Sequence, residues 1–118
     1  MITTTFYCHL CWQPAATLAL DAGAQQLMLD GFVWQHSVER VSAQDAIRVR
    51  QALQTRDAAA LHLLNRLWAP FYCPDCRRIY CLNHWRVTYA FDDDPDFPGW
   101  YDAAYGQCPQ GHRQLIDD

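Results

Sequence analysis

The sequence predicts a small α+β fold whose distant parts are joined by four short pairs of Cys and His residues. Three observations lead to this prediction. The pairs are spread along the whole chain of 118 residues. A β-hairpin signal and two helix-start signals follow one another between the first pair and the second. A chain of this length normally forms one domain with room for a modest hydrophobic core.

The four pairs have the spacing of metal ligands. Two residues separate the members of the first three pairs, and three residues separate those of the last. A tight turn can aim both side chains of such a pair at one ion, and tetrahedral zinc takes thiolate sulfur and imidazole nitrogen in this way. The candidate ligands suffice for two structural zinc ions, each with four protein ligands and no vacant position for water. They are Cys8, Cys11, Cys73, Cys76, Cys81, His84, Cys108 and His112.

The composition and the N-terminus indicate a cytoplasmic protein. The formal charge is −4 and all nine basic residues are Arg, which argues against nucleic acid as a partner because non-specific binding relies on a basic surface. No apolar run approaches the ~20 residues that span a bilayer, and no export signal is visible. Paired cysteines in the cytoplasm are more often metal ligands than disulfides.

One domain is predicted over residues 1–118, with ligand-bearing parts at 6–13 and 71–114 and an insertion at 14–70. The insertion is expected to hold a β-hairpin followed by two helices. Asp30 and Gly31 lie between apolar runs, which is a signal for a two-residue hairpin. Residues 17–20 fit either a short strand or a helical turn.

Both helices of the insertion begin with a capping residue. Ser42 can cap the first helix, with Asp45 three residues further on near the positive end of the helix dipole. The apolar positions of this helix are Ala46, Ile47, Val49 and Leu53. The second helix is expected to begin at Asp57 and to end at Pro70, with its apolar face formed by Ala58, Leu61, Leu64 and Trp68.

The C-terminal part alternates strand and loop signals. Residues 86–91 carry alternating β-branched and aromatic side chains and predict a strand. Residues 92–99 are rich in Asp and Pro and predict a solvated loop rather than a calcium site, since the spacing of a calcium-binding loop and its closing Glu are missing. Gly111 is expected to permit the turn of the last pair. The remaining histidines, His9, His36 and His62, are interpreted as surface or core residues rather than ligands.

Spacing leaves the grouping of the pairs open. Only four residues separate Cys76 from Cys81, so one site built from the second and third pairs would be cramped. The favoured arrangement is cross-braced, with the first and third pairs on one ion and the second and fourth on the other. The alternative is sequential, with the first and second pairs on one ion.

The ligand stretches resemble the RING-type two-zinc modules and the related B-box and in-between-RING modules. The first pair is similar to the first RING pair, in which an aliphatic residue, here Leu10, precedes the second Cys. Residues 79–85 are similar to the middle of the motif, and residues 108–113 to its closing pair. The resemblance implies that Leu10 and Pro109 bind a ubiquitin-conjugating-type enzyme and that Arg113 bridges this enzyme to ubiquitin.

The function expected from this resemblance is that of an adaptor or ligase in ubiquitin-like conjugation. Any activity would arise from positioning the partner enzyme, with no covalent intermediate and no catalytic residue in this chain. The main alternative is a non-catalytic, zinc-scaffolded protein–protein interaction module. A basic patch of Arg77, Arg78 and Arg86 keeps nucleic-acid binding as a lesser alternative, and a redox or zinc-sensing switch is the weakest.

Overall fold

The computed structural model describes residues 1–92 and 100–117. The predicted α+β class is confirmed, since the described residues form β-sheets and two α-helices. The strands are β1 (Ile2–Tyr7), β2 (Pro14–Asp21), β3 (Gln26–Gly31), β4 (Trp34–Arg40), β5 (Tyr72–Cys73), β6 (Arg78–Ile79), β7 (Arg86–Asp92), β8 (Trp100–Gln107) and β9 (Arg113–Asp117). The helices are α1 (Ala43–Gln54) and α2 (Ala58–Leu64).

The N-terminal strands form a four-stranded antiparallel meander in the order β1-β2-β3-β4. The alternation of β2 and β3 places Leu18, Leu20, Leu27 and Leu29 on one buried face. Residues 17–20 therefore lie in a strand rather than a helical turn. The predicted boundary between residues 13 and 14 falls between two paired strands of this sheet. Strand β1 precedes the first ligand pair and β2 follows it.

The β3–β4 hairpin has its turn two residues later than predicted. Gly31 pairs with Trp34, so Phe32 and Val33 form the turn instead of Asp30 and Gly31. Gly31 lies close to the neighbouring strand, where a Cβ atom would be 3.4 Å from the Cα of Ala16. Phe32 adopts a positive φ of 53°, and its ring packs against the rings of Phe71 and Trp85. The packing of the partly buried Phe32 ring on these two rings accounts for the shift.

Helix α1 begins as predicted. The Ser42 side chain accepts a hydrogen bond from the Asp45 backbone N–H at 3.0 Å, and Val49 and Leu53 are buried against the sheet. Thr4 of β1 donates to the Leu53 carbonyl at 2.8 Å and joins the helix to the sheet. Ile47 is 64% exposed, so its assignment to the apolar face was wrong.

Helix α2 begins as predicted at Asp57, whose carboxylate accepts from the Ala60 N–H at 3.0 Å. It ends at Leu64 and not at Pro70. Asn65 is extended, and its side chain accepts a hydrogen bond from the Leu67 N–H at 2.9 Å, which starts a separate 3-10 turn over Arg66–Trp68. An Asn side chain competes with the backbone in this way and interrupts helices.

The C-terminal residues form a two-stranded sheet, β5-β6, and a three-stranded sheet, β7-β8-β9. The predicted strand at residues 86–91 corresponds to β7, whereas the predicted solvated loop at 92–99 lies almost wholly outside the described residues. Aromatic contacts join these sheets to the N-terminal one: Phe6 packs on Phe71 with ring centroids 5.3 Å apart, and Phe32 packs on Trp85 at 6.5 Å. In the described parts of the chain, neither helix has the length and apolarity to cross a membrane.

Candidate metal centres

Each ligand pair lies in a short turn that the backbone hydrogen bonds define. The first pair occupies the β1–β2 connection, where the Trp12 N–H donates to the Cys8 carbonyl at 3.0 Å. The second occupies the β5–β6 hairpin, where the Arg77 N–H donates to the Cys73 carbonyl at 2.8 Å. In both turns the residue after the second Cys has a positive φ, 60° at Trp12 and 56° at Arg77.

The third and fourth pairs use two other turns. Cys81 precedes a 3-10 turn over Leu82–His84, and His84 is the last residue of that turn. Cys108 and His112 close the β8–β9 connection through a hydrogen bond from the Cys108 N–H to the His112 carbonyl at 2.8 Å. Gly111 has a φ of 92°, so it permits this turn as predicted.

The structure brings the eight candidate ligands together in two clusters, each with three Cys and one His. The first cluster, called centre 1, consists of Cys8, Cys11, Cys81 and His84. The second, called centre 2, consists of Cys73, Cys76, Cys108 and His112. The donor atoms within each cluster lie within 4.8 Å of one another, and no Cys forms a disulfide. Each cluster could therefore hold one metal ion.

The interatomic distances fit a tetrahedral ion. Zinc–sulfur bonds of about 2.3 Å and zinc–nitrogen bonds of about 2.0 Å imply edges of about 3.8 Å between sulfurs and about 3.5 Å between sulfur and nitrogen. The sulfur atoms of Cys11 and Cys81 are 3.6 Å apart, and those of Cys76 and Cys108 are 3.7 Å apart. The Nδ1 atom of His84 is 3.4 Å from the Cys8 sulfur and 3.2 Å from the Cys81 sulfur. Nδ1 of His112 is 3.2–3.7 Å from the three sulfurs of centre 2.

Each centre contains one thiol that ionises easily. Burial raises the pKa of Cys8, but backbone hydrogen bonds from Cys81, Cys11 and Leu10 outweigh burial and lower this pKa to about 6. Burial likewise raises the pKa of Cys108, but backbone hydrogen bonds from His112 and Gln110 lower it to about 7. These thiolates are available to a cation near neutral pH.

The other buried thiols need the ion before they ionise. Burial raises the pKa of Cys73 to about 12 and that of Cys81 to about 11. A bound divalent cation stabilises the thiolate in place of the water that burial removes, and it deprotonates a coordinating thiol outright. The chemistry of the donor set thus fits a metal ion in each centre.

The clusters combine the pairs in the cross-braced order, the first pair with the third and the second with the fourth. The sequential and the cramped groupings are not found. A backbone hydrogen bond from His9 to the carbonyl of Ile79, 2.7 Å long, also joins the turn of centre 1 to strand β6. This link cannot be predicted from the sequence, since a backbone hydrogen bond between distant segments leaves no signature in residue type.

The three remaining histidines lie outside both clusters. His36 contacts Asp30 at 2.9 Å on the surface of the sheet. His62 is half-buried, with its Nε2 atom 3.2 Å from the side-chain oxygen of Gln114 and its ring against that of Tyr72. His9 lies beside Trp12, with ring centroids 6.4 Å apart.

The residues assigned to partner binding are all exposed but belong to different centres. Leu10 lies in the turn of centre 1, whereas Pro109 and Arg113 lie in and next to the turn of centre 2. The guanidinium carbon of Arg113 is 4.5 Å from the centroid of the Tyr105 ring. This stacking gives Arg113 a defined direction on the surface.

Comparison with known proteins adds one finding. No curated protein and no solved structure matches the chain. A family model described as "Domain of unknown function (DUF8328)" matches residues 2–118, which is nearly the whole chain. The chain with these two Cys and His clusters is therefore a member of the DUF8328 family.

Proposed function

We propose that this chain is a protein-interaction module scaffolded by two structural zinc ions. The observation that carries the proposal is that each centre offers four protein donors at the edge lengths of a tetrahedron. Three thiolates and one imidazole are typical of structural zinc. When bound, each zinc ion would contribute folding energy by holding two distant turns together. A filled coordination sphere leaves no position for a reacting water.

The surface beside centre 1 supports a docking role. Leu10 is 49% exposed, Trp12 is 71% exposed and Leu82 is 38% exposed, and all three adjoin ligands of this centre. Apolar side chains held in metal-braced turns cannot withdraw into the core. Aromatic residues in fixed positions are frequent anchors of protein interfaces.

The metal part of the proposal is tested by native mass spectrometry and by cobalt substitution. We expect two zinc ions per chain and cobalt spectra typical of a tetrahedral site rich in sulfur. X-ray absorption should give three sulfurs and one nitrogen around each zinc ion. A different metal, a stoichiometry of one or an oxygen in the coordination sphere would contradict it.

The docking part is tested by cross-linking the zinc-loaded chain in extracts of its own cells and identifying the partners. Leu10→Ala and Trp12→Ala should remove a specific partner. Leu63→Ala is the matched control, since Leu63 is 87% exposed in helix α2 and does not adjoin a ligand of centre 1. Equal loss of cross-links in all three variants would contradict docking at centre 1.

A second candidate is a RING-like adaptor for a ubiquitin-conjugating-type enzyme. The cross-braced grouping of the pairs favours it, and Leu10, Pro109 and Arg113 are accessible as that role requires. Its test is the rate at which the charged enzyme discharges its thioester. We expect the chain to accelerate discharge and each Ala variant of these three residues to lower the rate by about tenfold. Arg40→Ala is the control, and no acceleration by the wild-type chain would remove this candidate.

A further inference from the structure

A groove with a volume of about 350 Å³ lies where three turns meet. The turns are the β1–β2 connection of centre 1, the β5–β6 hairpin of centre 2 and the link between helices α1 and α2. We call it the arginine groove and define it by Tyr7, Trp12, Arg56, Asp57, Arg77 and Arg78. The metal-braced turns and the helical insertion thus contribute to one surface.

Three residues of the arginine groove have a strained backbone. Trp12, Arg56 and Arg77 have φ values of 60°, 52° and 56°, in the left-handed region that favours glycine. The chain uses glycine for this conformation at Gly31 and Gly111. Of the five non-glycine residues with positive φ in the described chain, three line this groove. Backbone strain at residues that glycine could replace indicates a functional role for their side chains.

Packing within the chain does not account for these side chains. Trp12 is 71% exposed and Tyr7 is 42% exposed, so neither ring completes the core. Arg56, Arg77 and Arg78 are exposed as well. Among the side chains that the structure describes, those of residues 1–89 and 103–117, no carboxylate oxygen lies within 4.0 Å of their guanidinium groups.

The charge of the groove is opposite to that of the whole chain. Three arginines and one carboxylate residue, Asp57, line the groove, and the Asp57 carboxylate accepts a hydrogen bond from the Ala60 N–H. The chain carries a formal charge of −4. An anionic ligand is therefore repelled by most of the molecule and attracted here.

We propose that the arginine groove binds an acidic peptide segment of a partner protein. Asp and Glu carboxylates would accept paired hydrogen bonds from the guanidinium forks, and an apolar side chain of the peptide would pack on Trp12. The proposal rests on the docking function proposed above and names the chemistry of the partner. Three cations beside an acidic surface suit a short peptide better than a nucleic acid, which needs a longer basic track.

The competing explanation is that the arginines balance the charge of the metal centres. A zinc ion with three thiolates and one imidazole carries a net negative charge, and Arg77 directly follows the ligand Cys76. This explanation accounts for Arg77 but not for Arg56, which lies between the helices. It predicts a loss of zinc when the arginines are replaced, whereas the peptide proposal predicts full zinc content.

The test selects binders of the zinc-loaded chain from a random library of peptides about twelve residues long. The test variant is Arg56→Gly, Arg77→Gly and Arg78→Gln together. Glycine relieves the positive φ at two of these positions, so the variant should fold with an unfolding midpoint no lower than that of the wild type. The control variant, Arg40→Gln, Arg48→Gln and Arg50→Gln, removes the same charge outside the groove.

We expect the selected peptides to contain several Asp or Glu residues and one apolar anchor. Their affinity should fall at least about tenfold in the test variant and with rising salt, and should change little in the control. Trp12→Gly should weaken the same peptides and leave the zinc content at the wild-type value.

Three results would overturn the proposal. The first is that the selected peptides lack acidic residues, and the second is that they bind the wild type and the test variant with equal affinity. The third is that a ten-nucleotide oligothymidine binds more tightly than any peptide and loses this binding in the test variant. Selected peptides that bind regardless of the arginines would contradict the groove while leaving the docking function intact. The docking function itself is tested separately, by the cross-linking of the Leu10→Ala variant.

Discussion

Two regions of the molecule are held together by different forces. The helix–sheet unit, comprising residues 1–7 and 14–64, buries a continuous set of aliphatic side chains that includes Leu18, Leu27 and Leu53. The ligand-bearing segment, residues 71–113, holds the two-residue strands β5 and β6 and the longer strands β7 and β8, and it joins the same core mainly through aromatic rings. Burial of apolar surface stabilises the first region, whereas in the second the turns meet at two clusters that could each hold a metal ion.

The two centres differ in what they connect. Centre 1 joins residues 70 apart, Cys11 and Cys81, across the two regions, whereas centre 2 joins Cys76 to Cys108, 32 residues on, within the ligand-bearing segment. Loop-closure entropy makes the longer connection cost only about 0.7 kcal/mol more. The two centres therefore differ in topology: of the two, only centre 1 joins the ligand-bearing segment to the N-terminal sheet.

Metal removal should separate the two regions most clearly. Each structural zinc ion contributes on the order of 10 kcal/mol of apparent binding free energy, so a chelator should unfold residues 71–113 while the aliphatic core keeps the helix–sheet unit folded. Hydrogen exchange followed by mass spectrometry should show loss of protection in the ligand-bearing segment and unchanged protection in the helix–sheet unit. A cooperative melt that the chelator leaves unchanged would refute this, and restoring zinc is the control.

Leu18→Ala should destabilise the helix–sheet unit and leave the metal centres intact. Leu18 is fully buried in β2, and removing such a side chain costs about 2–5 kcal/mol through lost burial and the cavity that remains. Chemical denaturation should show lower stability of the helix–sheet unit, with both metal ions retained. Met28→Ala on the partly exposed face of β3 is the matched control and should cost much less.

Gly106→Ala should affect the ligand-bearing segment by steric crowding. A Cβ atom at this position in β8 would lie 2.9 Å from the Trp85 ring and would overlap the side chain of Ile116. Overpacking of this kind costs about 1–3 kcal/mol. Thermal melts of the zinc-loaded protein should show the loss, with Gly23→Ala as the control, since a Cβ there would meet one Asp21 carboxylate oxygen at 3.6 Å. An unchanged melting temperature would mean that β8 packs less tightly than described.

The smallest effect concerns the contact between helix α2 and strand β9. Burial lowers the pKa of His62 below its usual 6.5, the Arg66 charge adds to this, and the hydrogen bond with Gln114 opposes it. The folded state thus takes up a proton less readily than the unfolded chain. Stability from the neutral imidazole is complete above pH 6.5 and decreases as the pH falls below it.

The pH effect is measured against His62→Gln, which lacks the titrating group. Unfolding free energies at several pH values between 7.5 and 5 should show the wild type losing stability relative to the variant. A constant difference between the two proteins across this range would show that His62 does not titrate with folding. Because acid also protonates the cysteines, only the difference between the proteins is informative.

Much of the candidate site could be read from residue types and spacing. The spacing of the eight Cys and His residues, at intervals of three or four, predicts that they are metal ligands, because such pairs have few other uses in a chain without disulfides. The caps at Ser42 and Asp57 also identified the helix starts, since capping is a local interaction. The RING-like function and the partner enzyme stay predictions.

Two predictions from local sequence patterns were wrong, one because of a tertiary contact and one because of a competing local hydrogen bond. The Asp30–Gly31 step suggested a turn, but Phe32 took the left-handed position because its ring packs on Phe71 and Trp85. Pro70 suggested the end of α2, but the Asn65 side chain ended it earlier. In the first case tertiary packing outweighed turn chemistry, and in the second a local competitor was overlooked.

The sequence alone determined that this protein has four ligand pairs, two capped helices and a chain short enough for one domain, because these depend on composition and on neighbours within a few residues. The tertiary structure decided which pairs share a centre, since spacing allowed both the cross-braced and the sequential grouping. It also decided that Trp12, Arg56 and Arg77 line one groove. Contacts between segments far apart in the chain depend on how the sheets and helices pack, and no local pattern records them.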